Sequence, residues 1–320
     1  MSLISPCYNG ENYLPRFLGS LLEQDYDNVE FIFVDDGSTD LTREVFESYR
    51  PGLEAKGWTV EYVWQENQGA SGALNNGLKR FTGEYLIWPD SDDILYPNHI
   101  RRKVEFMEEH KDIGIAYCPF DFVNENDLDS IFFVKRPLEH VDMFENLIDD
   151  GWMIWTLGTI IRSSAFLDVN PQRTIPVCRG GQNCQIQMPV VYKYPYGIIH
   201  ESLAKYVVRH DSHSHSQHNF IRRQYDLAEV WLKSIEMLTC SRFEKTKLQL
   251  RVLRRHSRNI RTYFTEKYRN KFAPVLAWIQ QIKNIRHPFE YILSVKNEGN
   301  HKVVRLFRIK VFSKRRKTKI

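Results

Sequence analysis

The sequence predicts an α/β protein. Its N-terminal part reads as a doubly wound, Rossmann-like, mostly parallel sheet flanked by helices, followed by a basic and mainly helical C-terminal region. Three observations carry this. Strand-type runs alternate with segments of helical apolar spacing in the order βαβαβαβ. Residues 29–34 (VEFIFV) are almost wholly β-branched, aromatic or aliphatic, as a strand covered on both faces must be. Each short polar motif of the N-terminal third follows a strand, the side on which open α/β sheets bind ligands.

Residues 1–5 form the first predicted strand, running into Pro6-Cys7-Tyr8-Asn9-Gly10. Over residues 12–24, Tyr13, Leu14, Phe17, Leu18, Leu21 and Leu22 recur at helical spacing. The strand at 29–34 ends in Asp35-Asp36-Gly37-Ser38-Thr39-Asp40, where Ser38, Thr39 or Asp40 is expected to cap a helix over 41–49. Residues 58–64 alternate, with Trp58, Val60, Tyr62 and Trp64 on one face of a third strand. A helix over 69–81, a strand over 84–88, a helix over 97–110 and a strand over 113–118 follow. Residues 119–215 are mixed, with a strand over 158–162 and a short helix over 182–188 stopped by Pro189. Residues 219–285 are helical in pattern and strongly basic. The expected organisation is one domain over 1–215, with halves 1–118 and 119–215, and a basic region over 216–320.

Charge separates these regions. Residues 221–320 hold 26 Lys/Arg and 7 Asp/Glu, while the first 220 hold 18 Lys/Arg and 33 Asp/Glu. An acidic body suits a bound cation, and a basic end suits an anionic surface. The nine Lys/Arg of residues 301–320 could meet nucleic acid, an anionic leaflet or nothing. No recognised nucleic-acid motif is present, which favours lipid. No stretch is apolar enough to predict a spanning helix, and the N-terminus is not signal-like. The chain is therefore expected in the cytosol, peripheral on the inner face of the cell membrane. The five cysteines show no zinc-ligand spacing and read as reduced thiols.

Asp90-Ser91-Asp92-Asp93 is the most informative segment. Three carboxylates in four residues at a strand end repel one another, and a hard divalent cation such as Mn²⁺ or Mg²⁺ offsets that repulsion. The bland alternative is an acidic turn before the next helix. In Asp35-Asp36-Gly37-Ser38 a carboxylate at a strand end can accept from a base or a ribose hydroxyl, and the bland alternative is a helix cap.

The segments PCYNGENYL (6–14), FVDDGSTD (33–40), ENQGASGALNNGL (66–78) and GEYLIWPDSDD (83–93) together resemble the motif series of family 2 glycosyltransferases with the GT-A fold. The resemblance implies a nucleotide-diphospho-sugar donor, UDP-linked by expectation, a divalent metal, and inverting transfer to a glycan or lipid-linked acceptor. It implies that Pro6, Tyr8 and Glu11 line the nucleoside pocket. Asp36 would meet the base with Asp35 nearby, and Asn67 and Gly69 would face the nucleotide. Asp90, beside Ser91, would meet ribose or metal, and Asp92 would be the principal metal ligand. Relatives commonly carry Arg where this chain has Leu74. They also carry a Gly-Glu-Asp segment whose Asp is the catalytic base. Here the comparable stretch is Gly180-Gly181-Gln182-Asn183, and an amide such as Asn183 cannot take a proton from a hydroxyl. Asp93, Asp211 and His210 remain as candidates for the base. His210 or His213, after the strand-like 206–209, could complete the metal shell or contact phosphate. Two rival readings are an inactive nucleotide- or glycan-binding homologue and a nucleotidyltransferase. The latter would want a Gly-rich, Lys/Arg-bearing phosphate loop that residues 6–11 do not supply.

Overall fold

The computed structural model describes residues 1–151, 155–179, 181–209, 220–268, 293–298, 301–306 and 309–315. The chain divides into two compact units, Met1–Ser257 and Arg258–Ile320.

The first unit opens with β1 (Ser2–Cys7), α1 (Leu14–Leu22), β2 (Glu30–Asp35), α2 (Thr42–Ala55), β3 (Thr59–Trp64), α3 (Ala70–Leu78) and β4 (Tyr85–Ile87). It continues with β5 (Ile94–Leu95), α4 (His99–Glu109), β6 (Ile115–Tyr117), β7 (Phe120–Asn124), β8 (Phe133–Lys135) and α5 (Met143–Asp150). A 3₁₀ turn (Thr156–Gly158) leads into β9 (Thr159–Arg162), then α6 (Ser163–Val169), α7 (Asn183–Lys193), β10 (Tyr196–Ile198), β11 (Ala204–Val208) and α8 (Phe220–Glu236). Helix α9 (Arg242–Tyr268) starts in this unit and ends in the second. The second unit also holds an antiparallel sheet of β12 (Leu293–Glu298), β13 (His301–Leu306) and β14 (Ile309–Arg315).

The main sheet has the order β10-β6-β9-β4-β1-β2-β3. β4, β1, β2 and β3 pair in parallel, as the buried apolar run at 29–34 requires. Alternation along the strands divides the core. Leu3, Phe31 and Phe33 point to the layer of α1, α2 and α4, where Phe33 stacks on Phe46 at 4.6 Å. Ile4, Ile32 and Val34 point to the opposite layer with Leu74, Phe166, Ile186 and Val190. A smaller sheet, β5-β11-β7-β8, completes the unit.

β9 sits between β4 and β6 and runs antiparallel to both. Reversed in this way, it begins at the carboxyl ends of its neighbours. The Thr156–Gly158 turn therefore lies beside the loop that leaves β4.

Several expectations change. The helix begun at Asn183 runs through Pro189 to Lys193. A mid-helix proline costs about 3 kcal/mol. That cost is offset by complete burial of Ile186, Met188 and Val190 against the core. The third strand is found as β3, with Trp64 56% exposed at its end and Trp58 buried just before it, the indole N–H donating to Tyr26 O at 3.0 Å. At the start of α2 the N-cap position falls to Leu41, and of the expected caps Asp40 serves the helix, its Oδ1 accepting from Thr42 N–H at 3.1 Å. The first unit also runs past residue 215, where composition suggested a boundary, because Trp231, Ile235, Leu248 and Val252 bury in its core. Within the helical expectation for 219–285, α8 and α9 cover Phe220–Glu236 and Arg242–Tyr268. Among the described residues no helix is long and apolar enough to cross a membrane.

Candidate active site

Four loops leave the carboxyl ends of β1, β2, β3 and β4, and hydrogen bonds knit them together. Asn9 N–H donates to Ser38 Oγ at 2.9 Å, and Thr39 N–H donates back to Asn9 Oδ1 at 2.9 Å. Gly10 N–H donates to Thr42 Oγ1, and Glu11 N–H to Asp40 Oδ2. Glu11 Oε2 accepts from Leu41 N–H at 3.0 Å. The acids expected at the nucleoside are thus bound to loop backbone. Asp35, 2% exposed, accepts from Ser38 N–H at 2.8 Å and from the Tyr62 hydroxyl.

Asp36, 3% exposed, accepts at Oδ1 from Gln65 Nε2 (2.7 Å) and Gln68 N–H (2.9 Å), and at Oδ2 from Gly69 N–H (2.8 Å). Three donors leave this carboxylate about one vacant lone-pair site. It fixes the amino end of α3 and leaves Asn67 and Gly69 exposed. Gly37 permits the arrangement. Its φ is +78°, and a Cβ there would stand 2.9 Å from Asn67 N. Pro6 is half-buried at the end of β1, and Tyr8 is 48% exposed, its carbonyl accepting from Tyr13 OH.

The 90–93 loop is held from below. Ser5 Oγ donates to Pro89 O at 3.1 Å, and Arg16 Nε donates to Asp92 O at 2.8 Å. Ser91 is buried beside the Cys7 thiol. Asp90 is half-buried, and two neutral donors from the second half of the domain grip it. Thr156 Oγ1 donates to Oδ2 at 3.4 Å and Gln182 Nε2 to Oδ1 at 3.3 Å. Burial, then the charge of Asp92, push the Asp90 carboxyl up to about 7. Asp92 pairs with Arg209, Nη2 to Oδ2 at 2.6 Å, and the Arg209 guanidinium lies 4.3 Å over the Tyr13 ring. Asp93 is fully buried, with Oδ1 on Val207 N–H at 3.0 Å, and burial raises its carboxyl well above the usual range. Its second oxygen is buried without a hydrogen-bond partner among the described residues, and so are Arg16 Nη2 and Arg209 Nε.

The Thr156 turn is itself clamped. Lys103 is wholly buried, and its ammonium donates to Leu157 O (2.9 Å) and Thr159 O (3.1 Å) while contacting His99 Nε2 at 2.9 Å. Desolvation lowers this ammonium to about 8. Gln182 is the N-cap residue of α7 yet makes no side-chain cap bond, because its amide goes to Asp90. Asn183 opens α7 with Oδ1 buried and unpartnered among the described residues. Leu74 is fully buried in the core. His210, Asp211 and His213 lie outside the described residues.

The structure thus brings Asp90, Ser91 and Asp92 together with Thr156, Gln182 and Arg209, and removes Asp93 from the surface. The sequence did not single out Arg16, Lys103 or Thr156 for this site. Arg16 is a cation inside an otherwise apolar helical pattern, the one signal that marked it. Among the described residues no group of three or more His, Cys, Asp or Glu gathers as a metal site. The chain offers a cation the Asp90–Asp92 pair. These are hard oxygen donors whose mutual repulsion a cation relieves, so the donor set fits Mn²⁺ or Mg²⁺ completed by ligand oxygens.

Residues 2–166 fit the model of glycosyl transferase family 2. An uncharacterized glycosyltransferase of Rickettsia typhi is 38% identical over 137 residues, 42% of this chain and 40% of that protein. The chain spans two-fifths or less of the length of such Rickettsia relatives. The fold resembles Staphylococcus aureus TarS 1–349 in complex with UDP-GlcNAc, with a TM-score of 0.59, 21% identity, and coverage of 85% of this chain and 74% of that one. It also resembles the Pyrobaculum calidifontis mannosyltransferase PcManGT in complex with GDP-Man and Mn²⁺, with a TM-score of 0.54, 15% identity, and coverage of 89% and 80%. With more than half its length fitted by that family model, and the GT-A fold of these neighbours, the chain belongs to glycosyl transferase family 2.

Proposed function

We propose that the protein transfers a sugar from a nucleotide-diphospho-sugar, UDP-linked, to a glycan or lipid-linked acceptor, with inversion at the anomeric carbon. The observation that carries this reading is the Asp90–Asp92 pair at the carboxyl end of β4, faced by Thr156, Gln182 and Arg209. The acceptor oxygen bonds to the anomeric carbon as the bond to the diphosphate breaks. The nucleoside diphosphate leaves with the electron pair, and the acceptor proton passes to a base. A divalent cation on Asp90 and Asp92 would act as a Lewis acid toward the diphosphate. Thr156 and Gln182 orient Asp90. Arg209 balances the charge of Asp92. The knitted loops of β1 and β2 shape the nucleoside pocket, with Pro6, Tyr8, Asn67 and Gly69 as its accessible lining. Asn183 cannot be the base, and Asp93 is closed to an acceptor, which leaves His210 and Asp211.

The acceptor reading includes work at the inner face of the cell membrane, the basic C-terminus meeting anionic lipid. The test is a panel of nucleotide sugars, each with Mn²⁺, Mg²⁺ or a chelator, scored for thermal stabilisation and donor hydrolysis. A UDP-sugar that stabilises and turns over only with metal supports the proposal, and no response to any donor contradicts it. Asn183 favours one second reading, an inactive binding homologue, and stabilisation without turnover on any acceptor would select it.

A further inference from the structure

The exposed face of α9 has a composition that its role in the core does not explain. Inward, Leu248 and Val252 are buried, and Arg255 donates to Leu147 O and Ile148 O. Outward, helical spacing lines up Phe243, Lys247, Leu250 and Arg254. Arg242 and Leu253 flank this row. Phe243 is 80% exposed, Leu250 50% and Leu253 43%. Arg242, Lys247 and Arg254 are exposed too, and no Asp or Glu lies on this outward face between residues 242 and 257. The nearest carboxylate, Glu244, is half-buried and stands 3.7 Å from Lys247. Three large apolar side chains in water beside three exposed cations, of which Lys247 has Glu244 within 3.7 Å, call for a partner that is both anionic and apolar.

We propose that this face of α9 docks on an anionic lipid bilayer, with Phe243, Leu250 and Leu253 reaching the acyl boundary and Arg242, Lys247 and Arg254 meeting lipid phosphates. This extends the membrane-side acceptor reading and rests on it, but it places the contact on the first unit rather than on the terminal tail. Charge complementarity selects the occupant. A second copy of the chain would set like charges face to face. A nucleic acid would gain little from two leucines, which offer bases no ring to stack on. A helix with mixed cationic and bulky apolar residues, by contrast, lies well in a headgroup layer.

The experiment is co-sedimentation of the full chain with phosphatidylglycerol and with phosphatidylcholine vesicles, across a salt series. The wild type is expected to bind the anionic vesicles and to lose binding as salt rises, since screening acts over about 10 Å at 0.1 M. Phe243→Ser with Leu250→Ser and Leu253→Ser, and separately Lys247→Glu with Arg254→Glu, are each expected to weaken binding at least tenfold. Both should leave the melting temperature and UDP-sugar hydrolysis unchanged. Replacing Lys314, Arg315, Arg316, Lys317 and Lys319 by Ser measures the tail separately. Binding that survives both α9 variants and vanishes with the tail variant overturns the proposal. So does wild-type binding to neither vesicle, or capture of an acidic protein in place of lipid. Hydrolysis of donor without vesicle binding would reject the docking face and leave the transferase reading standing. Absence of donor binding would do the reverse.

Discussion

The two halves of the first unit use polar side chains in opposite ways. In residues 1–89 the loop acids Asp35, Asp36 and Glu11 are bound locally. Asp35, Asp36 and Glu11 each accept from backbone N–H groups of their own or an adjoining loop. They set the shape of a pocket. In the second half, Thr156, Gln182 and Arg209 reach across to the two carboxylates that remain, Asp90 and Asp92. Motif acids therefore build the frame, and residues of the other half bond the pair proposed to hold the cation. Buried carboxylates need several donors to be tolerated, and loop backbone supplies them in bulk.

The largest effect that would test this contrast is at Asp92. Asp92→Asn should abolish metal-dependent nucleotide binding and transfer while the melting temperature holds, because its carboxylate bonds Arg209 at the rim rather than the core. Full activity in the purified variant would remove Asp92 from the site.

Asp36→Ala should behave differently. It strands three donors, and a buried unsatisfied donor costs about 1–3 kcal/mol. Urea unfolding should show stability lower by about 3 kcal/mol, with nucleotide affinity falling in step. A loss of affinity at unchanged stability would mean that Asp36 serves the ligand and not the frame.

Smaller effects belong to the second half. Thr156→Val and Gln182→Leu should each lower turnover by about 10- to 100-fold with little change in unfolding, as removal of a group that orients a metal ligand does. If either variant unfolds early but retains normal turnover per folded molecule, its bond to Asp90 is structural alone.

The gentlest probe is pH. With the Asp90 carboxyl raised to about 7, a proton occupies it below that value and competes with the cation. Mn²⁺ affinity should rise between pH 6 and pH 8. Thr156→Val removes a bond that favours the charged form, so the midpoint should move to higher pH. A flat profile would contradict the placement of the cation at Asp90.

How much of this was legible in the sequence follows the same divide. The alternation of elements, the parallel run at 29–34 and the position of Asp90 and Asp92 at a strand end could be read directly, because period and apolar content fix them locally. Pro189 misled, since local propensity forbids what core burial of Ile186 and Val190 enforces. Thr156 could not be found. Its importance depends on β9 running antiparallel between β4 and β6, a long-range pairing that leaves no trace in neighbouring residues. Lys103 was hidden for the reverse reason: a cation in a helix reads as a solvated face, and only the carbonyls of Leu157 and Thr159 make it a buried clamp.

The most direct test of a cation at Asp90 and Asp92 is calorimetric titration of the full chain with UDP, with Mn²⁺ and with a chelator, in wild type and Asp92→Asn. Saturable binding that requires Mn²⁺ is expected in the wild type and is expected to be lost in the variant. Equal affinity with the chelator, or equal affinity in the two proteins, would contradict a cation held at Asp90 and Asp92.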